Sequence, residues 1–218
     1  AQYGSKELSI ETSSLIPKGD WMTLVLLGKT VDRARPAQYL QIARDYMALP
    51  HIARLLPARA RLRVVCACAP NMVVGPAHQP FADRIAVVGD MAVSRLYKDG
   101  LRSAYTTSSA LASCVLTEGV DRASLSRAYR PVVEEIRRDS HWGRMAFLLA
   151  RVVFSRPLLS RIVYQALATE RKRRPLDRRR LTAALWDMAS GDSSYRVILW
   201  SLAHPASVRS VLVGGVLV

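Results

Sequence analysis

The pattern of hydrophobic and polar positions divides the chain into a β-rich start and a long helical remainder. The segment WMTLVLLGK follows the turn-forming residues Pro17, Lys18, Gly19 and Asp20, which predicts a β-hairpin. From Pro36 the period becomes helical until Pro50. The apolar, β-branched segments RLRVVCACAP (61–70) and RIAVVGD (84–90) predict two more strands, the second buried on both faces.

After residue 100 the period is helical to the end. The predicted helices cover 100–116, 121–139, 142–154, 157–171, 178–189, 194–203 and a last one after Pro205. Gly119 and Gly191 are expected to end helices, and Pro131 is expected to kink one. This order predicts an α+β protein in three segments: 1–82 with strands and one helix, 83–119 as a strand-loop-helix, and the helical 120–218.

Composition narrows the class of protein. Half of the 218 residues are hydrophobic, which is enough for a core. The longest apolar run, residues 145–154, contains Arg151 and is half the length that a membrane span needs. The N-terminal residues are polar, with no secretory h-region. We therefore expect a cytoplasmic protein, with peripheral attachment to a membrane left open.

The three cysteines, Cys66, Cys68 and Cys114, are too few for a disulfide framework. Cys66 and Cys68 could form a redox or metal pair, but no second Cys/His pair follows at the spacing of a zinc site. Residues two apart on a strand share a face, so two buried small side chains are the preferred interpretation. No metal site is predicted.

The segment VVGDMAVSRLYKDGLRSA places a carboxylate after a strand and a glycine at the start of a helix. Asp90, at the carboxyl end of the strand, can accept hydrogen bonds from a hydroxyl-rich ligand. The unpaired N–H groups and the dipole of the helix that Gly100 opens favour negative charge. Small residues from Ser103 onward leave room for a large ligand, although a structural βα cap remains the alternative.

This segment resembles the FAD-contacting C-terminal motif of glutathione-reductase-like flavoproteins, closest to the geranylgeranyl reductase and flavin monooxygenase branch. Gly89-Asp90 matches the Gly-Asp of the family, and Gly100-Leu101 with Ala104 matches its helix start. The resemblance implies that Asp90 binds the ribityl chain of FAD and that the helix start faces the isoalloxazine ring. The resemblance implies that six residues bind the cofactor: Gly89, Asp90, Lys98, Asp99, Gly100 and Leu101.

The sequence also departs from the family. Met91 replaces the usual Ala, and Lys98 replaces the first Gly of the helix-start pair. No Gly-x-Gly-x-x-Gly motif for the pyrophosphate occurs in the chain. The resemblance therefore implies the C-terminal portion of an FAD-dependent oxidoreductase, with 1–82 as the end of its substrate domain. An apolar or prenylated, lipid-like substrate is expected, and reductase or monooxygenase activity and NAD(P)H as reductant stay open.

The cofactor of such an enzyme carries the redox chemistry, so no catalytic residue is assigned. His78 precedes the motif and could approach a substrate, although a lone His in a Pro-rich loop is more often exposed.

The last segment is strongly basic. Of the net charge of +15, residues 121–218 carry +10, from 18 basic and 8 acidic residues, and ERKRRPLDRRR (170–180) has seven Lys/Arg. A helical cap with a solvated basic turn is one interpretation. The other is a surface that contacts anionic headgroups, as part of the enzyme or as a non-catalytic module that docks on a membrane or an acidic partner. No nucleic acid is expected, because no binding motif or interleaved aromatic residues accompany the charge.

Overall fold

The structure, a computed structural model, describes residues 3–4, 8–30, 36–57, 63–68, 73–96 and 100–216. The chain forms two compact units, Ala1–Met72 and Val73–Val218. Small strand pairs and a long helical region make the protein α+β, as the sequence predicts.

The first unit contains the predicted hairpin. Strands β1 (Tyr3–Gly4), β2 (Leu8–Lys18) and β3 (Trp21–Thr30) form an antiparallel sheet in that order. The turn between β2 and β3 contains Gly19 at φ +60°, a backbone conformation that glycine adopts without strain. Helices α1 (Pro36–Ala48) and α2 (Pro50–Ala53) follow. The core of this unit consists of Ile10, Tyr46, Met47 and Ile52.

The predicted strand at 61–70 is wrong where the structure describes it. Residues 63–68 form no strand, and Val64, Val65, Cys66 and Cys68 are exposed. The preferred interpretation of two cysteines buried on one strand face is therefore also wrong. An apolar β-branched segment forms a strand only where a neighbouring strand pairs with it, and its own sequence does not reveal that neighbour.

The second unit begins with two short antiparallel pairs. Strand β4 (Gly75–Pro76) pairs with β7 (Val93–Ser94), and β5 (Phe81–Ala82) pairs with β6 (Ile85–Ala86). The predicted strand over 84–90 is therefore reduced to β6, in which Ile85 is exposed rather than buried on both faces. Arg84 at φ +59° forms the tight turn before β6, and a 3-10 turn over Gly89–Met91 ends the extended segment.

Helices occupy most of the rest, and outside residues 121–154 their bounds follow the predicted ones closely. They are α3 (Gly100–Thr117), α4 (Arg122–Ser124), α5 (Arg130–Phe154), α6 (Pro157–Arg173), α7 (Arg180–Ser190), α8 (Tyr195–Ala203) and α9 (Pro205–Val216). Gly119 and Gly191, at φ +115° and +87°, end α3 and α7 as expected. Pro157 and Pro205 each begin a helix.

The region 121–154 differs from the prediction. Asp121 caps α4. Its carboxylate accepts hydrogen bonds from the Ser124 hydroxyl and from the Ser124 backbone N–H, and these two bonds hold the pKa of the Asp121 carboxyl below its ordinary value. A π-helical turn over Leu125–Tyr129 leads directly into α5, which continues through 140–141 without the predicted break. Pro131 lies in the first turn of α5, directly after the π-helical turn, where its missing N–H costs little.

The core of the second unit joins the short strands to the helices. It contains Phe81, Ala92, Val93, Cys114, Leu125, Tyr129 and Val133. Tyr129 is fully buried, and its hydroxyl donates a 2.6 Å hydrogen bond to the carbonyl oxygen of Val87. The predicted segments 83–119 and 120–218 thus belong to one compact unit.

Among the described residues, no single helix is long and apolar enough to cross a membrane. Helices α8 and α9 together have the length and apolar composition of one crossing, with a bend of 56° between them.

Candidate functional site

The candidate site is built on the turn that follows β6. Gly89 has φ +64°, a conformation that a side chain would strain. Its N–H donates to the hydroxyl oxygen of Thr107 at 2.8 Å, and that hydroxyl donates to the carbonyl oxygen of Ser103 at 2.7 Å. A Cβ at position 89 would lie 3.4 Å from the Cβ of Ala104. The turn is therefore held directly against the first two turns of α3.

Asp90 lies beside the first residue of α3. A Cβ at Gly100 would be 3.2 Å from Oδ2 of Asp90 and 3.7 Å from Oδ1, so the carboxylate occupies the space that a side chain at position 100 would need. The carboxylate thus stands at the positive end of an 18-residue helix, where negative charge is favoured. Asp90 itself is exposed and accessible to a ligand.

The structure therefore brings together four of the six residues predicted from the sequence. Gly89, Asp90, Gly100 and Leu101 surround the start of α3, while Lys98 and Asp99 lie outside the described residues. Three large apolar side chains near this point in the chain are exposed: Met91, Leu101 and Tyr105. The arrangement offers a carboxylate acceptor, a helix N-terminus and uncovered apolar side chains.

A buried ion pair supports the loop that leads to α3. The guanidinium of Arg95 lies 3.1 Å from Oδ2 of Asp139, and both side chains are largely buried. Arg95 also donates to the carbonyl oxygens of Gly191 and Ser193, and its guanidinium lies 4.5 Å above the ring centre of Tyr195. The Arg95–Asp139–Tyr195 cluster thus ties this loop to the C-terminal helices.

The same cluster organises the start of α8. The carboxylate of Asp139 accepts hydrogen bonds from the backbone N–H groups of Tyr195 and Arg196. The hydroxyl of Tyr195 donates to the carbonyl oxygen of Leu96. Gly143 in α5 lets the Tyr195 ring pack closely against that helix, because a Cβ at position 143 would lie 2.6 Å from Cδ2 of Tyr195.

Sequence reasoning missed the residues that hold the site in place. They act through partners distant in the chain: Thr107 bonds Gly89 over 18 residues, Tyr129 bonds Val87 over 42, and Asp139 bonds Arg95 over 44. The signal available in the sequence was weak: a buried Arg and a buried Asp look like any other charged residues of a helical protein. Only their pairing in the fold distinguishes them.

The other candidate residues do not join this site. His78 is exposed, and with Arg122 and Arg130 it lines a shallow groove of about 350 Å³. Cys114 is buried in the core of the second unit. Within the described ranges, no cluster of three or more His, Cys, Asp or Glu side chains could hold a metal ion.

Two arginines of the basic run have structural roles. Arg174 lies 3.6 Å from the buried carboxylate of Glu170, and Arg179 donates to the carbonyl oxygens of Arg171 and Arg174 at the end of α6. The run is therefore not uniformly a solvated surface.

Comparison of the chain with protein-family models, with curated proteins and with solved structures finds no match. The functional assignment therefore depends on the residues and the geometry alone.

Proposed function

We propose that the chain is the C-terminal portion of an FAD-dependent oxidoreductase, in which residues 83–104 hold the flavin end of the cofactor. One observation carries this proposal: the exposed Asp90 carboxylate stands against Gly100 at the start of α3, and Gly89 fastens the same turn to that helix. The resemblance of this segment to the flavoprotein motif rests on the same residues.

The roles follow from the chemistry of each group. Asp90 accepts hydrogen bonds from the ribityl hydroxyls, and a charged acceptor makes each such bond strong. The backbone N–H groups at Gly100 and Leu101, with the helix dipole, stabilise negative charge on the reduced ring. The exposed side chains of Met91, Leu101 and Tyr105 provide apolar surface that a flat ring system can cover. When bound, FAD supplies hydride or electron transfer.

In this proposal two parts of a protein bind different ends of FAD, and the chain binds the flavin end. The chain contains no Gly-x-Gly-x-x-Gly motif, so residues outside it must hold the pyrophosphate. An apolar or prenylated substrate, and NAD(P)H as the reductant, are part of the proposal through the resemblance alone.

The test is the affinity for FAD of the protein expressed from its whole reading frame. Asp90→Ala is expected to weaken FAD binding about 10- to 150-fold, because a charge-assisted hydrogen bond contributes about 1.5–3 kcal/mol. The measurement is a titration of the apoprotein with FAD, followed by flavin fluorescence. Asp177→Ala, at an exposed carboxylate outside the site, is the matched control and should leave the affinity unchanged.

Two outcomes separate the parts of the proposal. Equal FAD affinity in the parent and in Asp90→Ala would contradict the role of Asp90. A parent protein that binds no FAD at any concentration tested would contradict the assignment of the cofactor.

A further inference from the structure

The last two helices expose large apolar residues; α8 also buries Tyr195 and Ile198, whereas α9 buries only small residues. In α9 the buried residues are Ser207, Ser210 and Gly214, which share one face of the helix. The exposed apolar residues of α8 and α9, which we call the outer face, are Val197, Trp200, Val208, Leu212, Val213 and Val216. A helix that folds in water ordinarily shows the arrangement opposite to that of α9, because burial of large apolar side chains drives its packing.

The small residues have a packing reason. A Cβ at Gly214 would lie 2.5 Å from the carbonyl oxygen of Ile162 and 2.9 Å from the backbone nitrogen of Ala166, so α9 approaches α6 closely. The Ser210 hydroxyl donates to the buried carboxylate of Glu170 in α6. Small and hydroxyl side chains between closely packed helices are typical of helices whose other side contacts lipid.

The charges around the outer face select an anionic partner. No Asp or Glu occurs in residues 193–218, which contain Arg196 and Arg209. Arg196 and Arg209 are both exposed, and each lies on the same side of its helix as the outer face. The negative surface potential of an anionic leaflet attracts Lys and Arg side chains near it, and this charge pattern fits such a surface.

The geometry favours helices that lie on a surface. Helix α8 has nine residues and α9 has twelve, and a bend of 56° separates them. Trp200 follows Arg196 by four residues, so its amphipathic ring lies beside a cationic group, as at the boundary between headgroups and acyl chains. The long side chain of Arg209 can reach headgroups from within the apolar face.

We propose that α8 and α9 form a monotopic contact with an anionic lipid surface, in which the outer face enters the boundary of the acyl chains and Arg196 and Arg209 bind headgroups. This inference does not depend on the proposed cofactor. It differs from a contact through the basic run of residues 170–180, in which Arg174 and Arg179 are engaged within the protein.

The test is flotation of the 218-residue chain with vesicles of phosphatidylcholine, alone or with 30% phosphatidylglycerol, at low and high salt. The chain is expected to float with the anionic vesicles at low salt. Arg196→Gln with Arg209→Gln should reduce that partitioning about thirtyfold, because each Arg near an anionic surface contributes roughly a factor of five. Trp200→Ser with Leu212→Ser should reduce it at least about tenfold at either salt concentration.

A matched control has the same chemistry at another place. Trp186→Ser with Leu176→Ser removes a Trp that is 66% exposed and a Leu that is 79% exposed, against 68% and 66% for Trp200 and Leu212. The control is expected to float like the parent. Circular dichroism and a thermal melt should show that all variants keep the fold, since the changed side chains are exposed.

Three results would overturn the proposal. One is failure of the parent to float with anionic vesicles at low salt. Another is an equal loss in the control variant and in the Trp200/Leu212 variant. The third is sedimentation of the parent as a dimer that the Trp200/Leu212 variant dissociates, without any loss of vesicle binding, which would assign the outer face to a second copy of the chain.

Discussion

At the scale of single residues, two side chains fix the turn that carries Asp90. The Thr107 hydroxyl accepts a hydrogen bond from the N–H of Gly89. The buried Tyr129 hydroxyl donates one to the carbonyl oxygen of Val87, which precedes Gly89 by two residues. Burial raises the pKa of the Tyr129 phenol above its ordinary value, because the charged form loses its solvation. The position of the candidate site thus depends on Thr107 and Tyr129, which bond its backbone.

Tyr129→Phe is expected to lower the free energy of unfolding by about 1 kcal/mol at pH 8, because it leaves the Val87 carbonyl without this hydrogen bond. Above about pH 10 the unfolded tyrosine loses its proton while the buried one keeps it. The parent therefore loses stability as the pH rises past that value, and the variant does not have this loss. Urea denaturation at pH 8 and pH 10.5 should show the difference between the two proteins shrinking.

Tyr164→Phe is the control, since Tyr164 is exposed and its hydroxyl is not needed for this turn. Its effect should be within about 0.5 kcal/mol at both pH values. A difference between parent and Tyr129→Phe that grows with pH would contradict the raised pKa, and no difference at pH 8 would contradict the role of the hydrogen bond.

At the scale of elements, the helices were predictable and the strands after the hairpin were not. Gly119, Gly191, Pro157 and Pro205 act locally through their own backbone preferences, so their effects can be read from the sequence. The same holds for the turn at Gly19.

Elements that depend on distant partners were missed. The segments 61–70 and 84–90 have strand composition, but a strand needs a neighbour. Residues 63–68 have no such neighbour among the residues that the structure describes, and β6 pairs with a strand of only two residues. The π-helical turn before α5 was also invisible, because no residue type in 125–129 marks it. Within the site, Asp90 and Gly100 could be placed together from the sequence, whereas the support from Thr107 and Tyr129 could not.

One buried carboxylate holds three helices together. Oxygens of Glu170 in α6 accept hydrogen bonds from the N–H groups of Leu181 and Thr182 at the start of α7, from the Thr182 hydroxyl, and from Ser210 in α9. In the sequence this Glu begins a charged run and looks solvated. Its side chain is instead almost fully buried.

Glu170→Gln is expected to lower the free energy of unfolding by about 2–4 kcal/mol, because an amide group would face hydrogen-bond donors and the negative charge beside Arg174 would be lost. Chemical denaturation measures the change. Glu118→Gln is the control: its pair with Arg127 is exposed at 3.0 Å and should contribute about 0–1 kcal/mol. Equal effects of the two substitutions would mean that Glu170 does not hold the helices together.

At the scale of the whole molecule, the helical region supports the candidate site instead of standing apart from it. The Arg95–Asp139–Tyr195 cluster joins the loop before α3 to α5 and α8. Residues 73–218 are correspondingly one compact unit, although composition suggested a change of segment near residue 120.

Asp139→Ala is expected to lower the stability of this unit by about 3–5 kcal/mol, since it leaves the buried Arg95 without its carboxylate partner. Amide hydrogen exchange should become faster both in the β4–β7 pair, which precedes Arg95 in the chain, and at Tyr195 and Arg196, whose N–H groups donate to Asp139. Glu134→Ala, at an exposed pair on the same helix, should leave both regions protected. Faster exchange confined to α8 would show that the helical region and the site are independent.

The contact between Gly143 and the ring of Tyr195 also constrains how this protein can diverge. Because a Cβ at position 143 would meet the ring at 2.6 Å, no larger residue can appear there while an aromatic residue stays at 195. Tyr195 in turn is held by the stacked Arg95, so a smaller residue at 195 would leave that guanidinium poorly covered. The three positions are therefore expected to vary together: a change at one of them is tolerated only with compensating changes at the other two.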